Sequence, residues 1–173
     1  MTGPCHNDRN LIQPDGTVLV RLPRKDDMTT QQGTTPRMTR TQMDALVEGH
    51  YRAEEAGDLE AIVEGFTSDA EHDVAGRPGG PLHGGDQIED FYRGLLAELR
   101  IIRFEPVRRW YGEDHVVDEA VLHATAEGRP FGLEGRGRPV RARFLHIFDF
   151  SDRLICRESA WIDLAAIQQQ LSD

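Results

Sequence analysis

Phe144-Leu145-His146-Ile147-Phe148-Asp149-Phe150, a Ser151-Asp152 turn, then Leu154-Ile155-Cys156-Arg157-Glu158-Ser159-Ala160-Trp161-Ile162-Asp163 is the stretch that decides the fold. Apolar and polar side chains alternate with a period of two on both sides of a short turn, the mark of two paired strands that each bury one face. Alternation places Val140, Ala142, Phe144, His146, Phe148 and Phe150 together on one of those faces. Upstream the same period runs through 101–111 and 114–126, punctuated at Gly112-Glu113-Asp114 and across the Gly-rich 128–137. The pattern predicts four long strands, 101–111, 114–126, 138–150 and 153–163, in an antiparallel meander closed by a short helix over 164–171.

Before the meander the period becomes helical. Met43, Leu46, Val47 and His50 recur at helical spacing from about Thr39, with Tyr51 and Glu54 continuing the same side and Gly57 as a stop. Asp58 is placed to cap a second helix carrying Leu59, Ile62, Val63 and Phe66. An extended piece over 70–74 and a turn-rich loop over 76–85 lead to a third helix, 86–99, with Ile88, Phe91, Tyr92, Leu95, Leu96 and Leu99 inward. Helices followed by a long meander is an α+β order. The expectation is a cone-shaped, curved antiparallel sheet packed on three N-terminal helices, with a hollow between sheet and helices where a small ligand binds. This domain covers 39–173. Residues 1–38 are polar and aperiodic and read as a flexible extension, with a short strand over 16–22 as the other reading.

The 173 residues suffice for one domain with a real core. A net charge of −10 argues against a nucleic-acid partner, which needs a basic face. The arginine groups Arg103, Arg108, Arg109 and Arg136, Arg138, Arg141, Arg143 fall in strand segments and read as solvated faces. No apolar run approaches the roughly 20 residues that cross a bilayer, so no membrane partner is expected. Cys5 and Cys156, far apart and outside any paired-cysteine motif, read as two free thiols of a cytoplasmic protein.

Ala56-Gly57-Asp58-Leu59-Glu60-Ala61-Ile62-Val63-Glu64-Gly65-Phe66 with Asp69-Ala70, and Gly84-Gly85-Asp86-Gln87-Ile88-Glu89-Asp90-Phe91-Tyr92, together with the two strands quoted at the outset, resemble four motifs of one superfamily. It is the nuclear transport factor 2-like superfamily, a cystatin-like roll, and within it the SnoaL-like polyketide cyclases and ketosteroid isomerases. The resemblance spans about residues 42–165. It implies the cone fold, a homodimer, and a pocket for a small, largely apolar molecule. In ketosteroid isomerases the proton-moving base is an Asp after the second helix, which Asp73 matches after a one-residue adjustment. Their phenolic donor position is held here by His50, with Tyr51 beside it, and their second oxyanion donor position by His146. Two of three positions thus carry another residue type.

These comparisons and the strand alternation nominate Asp73, His146 and His50 as catalytic residues. His72, Tyr51, His83, Tyr92, Phe148, Arg157, Trp161 and Asp163 are nominated as substrate-binding. On the last strand the family comparison turns Arg157, Ser159, Trp161 and Asp163 toward the cavity, while a one-residue slip would substitute Glu158. No metal site and no cofactor are expected, because the chain lacks paired cysteines, histidines at helical i, i+4 spacing and a phosphate loop. The leading expectation is cofactor-independent acid–base chemistry (cyclisation, isomerisation or dehydration) on an apolar carbonyl-containing substrate. Its rivals are a non-catalytic small-ligand-binding or dimeric assembly module, and an epoxide hydrolase. The acidic 44–73 stretch, ten acids against one Arg, favours the module. The hydrolase needs an Asp–Arg–Asp arrangement, which the Arg143 region does not supply.

Overall fold

A computed structural model of the chain describes residues 11–12, 18–19 and 37–172. Two short strands, β1 (Leu11–Ile12) and β2 (Val18–Leu19), pair antiparallel with each other. Val18–Leu19 falls within the alternative strand reading of 16–22, and apart from Leu11, Ile12, Arg37 and Met38 the rest of the expected extension lies outside the described residues.

Thr39 starts the first helix by a capping box. Its side chain accepts the Gln42 backbone N–H, and Gln42 Oε1 accepts the Thr39 N–H, satisfying donors that the first helical turn leaves free. Helix α1 (Arg40–Ala56) ends at Gly57, whose φ of 66° is the left-handed conformation that glycine adopts without strain. Asp58 caps α2 (Leu59–Glu64) through Ala61 N. Phe66, expected on the second helix, instead opens β3 (Phe66–Val74), because Gly65 ends that helix one turn early. Then come β4 (Leu82–His83), α3 (Gly85–Glu98), β5 (Leu99–Tyr111), β6 (His115–Ala126), β7 (Arg138–Ser151), β8 (Leu154–Ile162) and α4 (Leu164–Ser172).

The strands form one curved, unclosed sheet in the order β4-β3-β8-β7-β6-β5. Every pair is antiparallel except β3 with β8, which is parallel and corrects the expectation of a wholly antiparallel sheet. That exception follows from chain direction, since β3 enters after two helices and joins the far edge of the meander. Register shifts in β5, at Asp149/Phe150 and within β3 bend the sheet around the helices. Met43, Val47, Ile62, Phe66, Ile88, Tyr92, Val116, Phe148 and Ile155 fill the space between helices and sheet. A second cluster, Leu99, Ile101, Leu122, Val140 and Ala142, packs under α4 through Ile167 and Leu171.

Two composition-based expectations change. Cys156, buried on β8, is disulfide-bonded, so the reading of free thiols fails there, and with it the argument for a reducing compartment. Cys5 lies outside the described residues. Arg109 does not lie on a solvated face: its guanidinium sits between Asp44 on α1 and Asp118 on β6. Among the described residues no helix is long and apolar enough to cross a membrane.

Candidate active site

Pairing registers assemble the site row by row. Asp118 on β6 lies opposite His146 on β7, which lies opposite Ala160 on β8. In the next row Phe148 pairs with Glu158, and Glu158 with His72 on β3. Alternation sends Asp118, His146, Glu158 and His72 to the inner face, where each is almost fully buried. Helix α1 lowers His50, Tyr51 and Glu54 onto them, and α3 adds Tyr92.

One chain of hydrogen bonds has its proton directions set from its outer end. The Arg109 side chain donates from Nε to Asp118 Oδ1 at 2.6 Å and from Nη1 to Asp44 Oδ1 at 2.6 Å. Burial alone would lower the Arg109 pKa, but these two carboxylates overcome it and raise it. Tyr51 gives its only proton to Asp118 Oδ2 at 2.8 Å. Its oxygen must therefore accept from His146 Nδ1, 2.9 Å away. That assigns the Nδ1–H form to His146 and leaves Nε2 facing Glu158 Oε1 at 3.0 Å. Two bare acceptors do not sit at that distance, so one proton lies between His146 Nε2 and Glu158.

The other oxygen of Glu158 is the centre of a second group. Tyr92 donates to Oε2 at 3.2 Å, His50 Nε2 lies 3.3 Å from it, and His72 Nε2 lies 3.8 Å away. His50 Nε2 is also 3.1 Å from Glu54 Oε1 and 3.1 Å from the Tyr92 hydroxyl. Burial works to lower the pKa of His50, yet the charges of Glu158 and Glu54 prevail and hold it at about 10. For Glu158 burial pushes upward and is outweighed by His50, His72 and His146, leaving the carboxyl well below its usual range. His72 goes the other way: burial lowers it, and Glu158 only partly opposes this. Tyr92 and Tyr51 are both raised, first by burial and then by the nearest carboxylate, so they act as hydrogen-bond donors and not as phenolates.

Part of this network borders a cavity of about 40 Å³. Its polar wall is Glu54, His72, Tyr92, His146 and Glu158, and the rest is apolar, with Phe91, Phe104 and Phe144 prominent. Among the described residues the Nδ1 atoms of His50 and His72 both lack a hydrogen-bond partner, and His72 stands out because its Nε2 contact is also too long to be a hydrogen bond. Phe131, from the β6–β7 loop, also lines the cavity; it is 42% exposed and has a positive φ of 55°. A bulky side chain in that conformation is uncommon.

The nominated residues separate into two groups. His146, His50, His72, Tyr51, Tyr92 and Phe148 come together inside, with Phe148 packed against the rings of His50 and His146. The others lie elsewhere. Asp73 is one-third exposed and faces Arg157 at 3.7 Å, while Arg157 donates to Glu71 at 2.8 Å; neither borders the cavity. His83 is exposed. Asp163 caps α4 through Ala166 N. Trp161 is 43% exposed and is no cavity wall. The inward residue of β8 is Glu158, one position from the expected register, because of the shift at Asp149/Phe150. Glu54, Asp118, Arg109 and Asp44 were not nominated. The period-two run Val116, Asp118, Ala120, Leu122 contained the signal for Asp118, and the helical stripe contained that for Glu54. The Asp–Arg–Asp arrangement sought near Arg143 occurs instead as Asp44–Arg109–Asp118, outside the cavity lining.

Similar folds occur among solved structures. A protein titled a "putative polyketide cyclase" from Xanthomonas campestris pv. campestris superposes with a TM-score of 0.68 at 21% identity, covering 76% of this chain and 98% of that one. AclR from Streptomyces galilaeus, described as "a putative hydroxylase", gives 0.66 at 18% identity, with 78% and 87% covered. An LEH-like epoxide hydrolase from M. tuberculosis gives 0.61 at 16% identity, with 76% and 90% covered. At these identities the likeness concerns the fold. No curated protein matches the sequence. The model of the SnoaL-like domain matches residues 47–158, from the buried face of α1 to Glu158 itself, and the chain belongs to that family.

Proposed function

We propose that the protein is an enzyme of acid–base chemistry acting on a small, apolar, carbonyl-containing molecule. One observation carries the reading: the same apolar cavity is bordered by a neutral histidine with no partner and by a histidine–carboxylate pair that shares a proton. His72 is the base, because burial keeps its imidazole free of a proton and no neighbour competes for it. The His146–Glu158 pair is the acid, donating to the carbonyl oxygen as negative charge develops there. Tyr51 and Asp118 hold His146 in the required tautomer. Proton removal beside a carbonyl is the step that isomerisation, aldol-type cyclisation and dehydration share. This reading takes His72 as the base in place of Asp73, which lies outside the cavity lining.

The cavity holds only a few water molecules, at roughly 10–15 Å³ each. A ring-sized substrate needs several hundred Å³, so the Phe131 loop must swing outward to admit it. Gly128, Gly132, Gly135 and Gly137 flank Phe131 in that loop and supply the backbone freedom.

The test is hydrogen–deuterium exchange at carbons next to the carbonyl, followed by NMR for a panel of cyclic ketones and β-diketones in D2O with a chelator present. Wild-type protein should accelerate exchange for at least one class, and His72→Asn and Glu158→Gln should each lower it by about 100-fold or more. Absence of exchange across the panel, or full exchange in both variants, would sink the reading. Epoxide opening is the second reading, favoured by Asp44–Arg109–Asp118. It ranks lower because that triad reaches the cavity only through Tyr51 and His146 in turn.

A further inference from the structure

The acid–base reading uses His72, His146 and Oε1 of Glu158. It leaves unexplained why Glu54, His50, Tyr92 and the second Glu158 oxygen converge beside them. Three oxygens surround His50 Nε2: Glu54 Oε1 at 3.1 Å, Tyr92 Oη at 3.1 Å and Glu158 Oε2 at 3.3 Å. A single N–H points well at one acceptor, and a charge-assisted N–H···O bond is usually about 2.7–2.9 Å long. None of the three is that short. The nitrogen stands as one corner of a polyhedron, without a preferred partner.

The dimensions match metal coordination. With bonds of about 2.0–2.1 Å, a tetrahedral site has ligand–ligand edges of about 3.3–3.4 Å. Among the proposed ligands, His50 Nε2 lies 3.1 Å from Glu54 Oε1 and 3.3 Å from Glu158 Oε2. One ligand atom each from His50, Glu54 and Glu158 lie within 4.8 Å of one another, and all three residues are buried. Glu54 and Glu158 border the cavity, whereas His50 stands behind them, so an ion among the three would turn its open side to the cavity. Beside that open side stands His72, buried to 2% exposure and without a hydrogen bond, 3.8 Å from Glu158 Oε2. An unbonded imidazole in so dry a place calls for a partner that protein atoms do not provide. We infer that His50, Glu54 and Glu158 form a binding site for a first-row divalent transition-metal ion, with its open position on the cavity beside His72 and Tyr92.

The ligand chemistry narrows the ion. Two carboxylates neutralise a dication where water is excluded, and the imidazole favours zinc, iron, nickel or copper over magnesium and calcium. Calcium further requires six to eight oxygens at about 2.3–2.6 Å, more than this cage offers. An ion there places a Lewis acid next to any carbonyl oxygen that enters the cavity.

Full-length protein freed of metal by chelator dialysis is titrated with Co²⁺ and read by visible absorption, then challenged with Zn²⁺. One equivalent of Co²⁺ should develop the intense bands of a four-coordinate ion, and Zn²⁺ should abolish them. Glu54→Gln and His50→Asn should each weaken binding by more than about 100-fold, since loss of even an outer-shell partner costs about 10–100-fold. His115→Asn, an exposed histidine, should change nothing. Circular dichroism confirms that each variant is folded. Should neither site variant fold, X-ray absorption of the wild-type zinc complex decides: mixed oxygen and imidazole donors with about one to two histidines support the site, and a histidine-dominated or fully hydrated ion overturns it. No binding by wild type, or undiminished binding in the folded variants, also overturns it. Metal binding is read without turnover, so its failure and that of the acid–base reading are separable.

Discussion

Tyr51 is the residue on which the inner polar network turns. It is held between Asp118 Oδ2 and His146 Nδ1, with Phe104 stacked on its ring at 4.2 Å. Tyr51→Phe keeps the stacking and removes only the hydroxyl, leaving two buried polar atoms without their common partner. Such a loss costs about 1–3 kcal/mol; a urea midpoint unchanged from wild type would refute the assignment. The same variant frees the His146 tautomer, so proton exchange catalysed at the cavity should fall along with stability. Asp118→Asn acts through the same atoms, and its effect should be less than additive with Tyr51→Phe in a double-mutant cycle. Additive effects would mean that the two residues do not form one chain.

Among the elements, α1 carries the largest share of the site, presenting His50, Tyr51 and Glu54 from a single stripe. Its position is set by the Thr39–Gln42 capping box at one end and Gly57 at the other. Thr39→Ala should lower stability by about 0.5–2 kcal/mol. Because the cap lies about three turns from His50, the Co²⁺ affinity proposed above should survive that change. Loss of stability with metal affinity retained, measured by denaturation and absorption titration, separates helix support from ligand chemistry. For β8 the decisive feature is the shift opposite Asp149/Phe150, which turns Glu158 inward and Trp161 outward.

For the whole molecule, pH dependence of stability follows from the buried groups. His50 is raised from 6.5 to about 10, so its contribution is complete below pH 6.5 and is lost as pH rises through about 10. His72 is lowered from 6.5, so folding is disfavoured as pH falls below 6.5 and the unfolded chain takes up the proton. Glu158, held below 4.5, adds a further loss at still lower pH. Urea midpoints measured across this range with chelator present should peak near pH 6.5. A flat profile, or one rising steadily toward pH 10, would contradict the charge assignments. Ile102, Val107, Trp110 and Trp161 are exposed on strands of the sheet, in keeping with a second copy covering them. Sedimentation should give a dimer mass, and a monomer at micromolar concentration would remove that expectation.

Period and punctuation in the sequence determined the order of helices and strands, the start at Thr39, and the inward face of 138–150 with His146 on it. These depend on neighbours in the chain, and alternation or helical spacing reports them directly. The placement of Glu158, Asp118, Arg109 and Asp73 was decided only by the tertiary structure. A register shift in β7–β8 exchanges which β8 residues face inward, and no local pattern reveals it. The parallel pairing of β3 with β8 brings His72 across from Glu158, a contact between residues 86 positions apart. His50 and Glu54, at i and i+4, were legible as a pair on one stripe; that they meet a carboxylate from the last strand was not. Burial then sets their proton states, because the charge of each group depends on which others the fold shuts in with it.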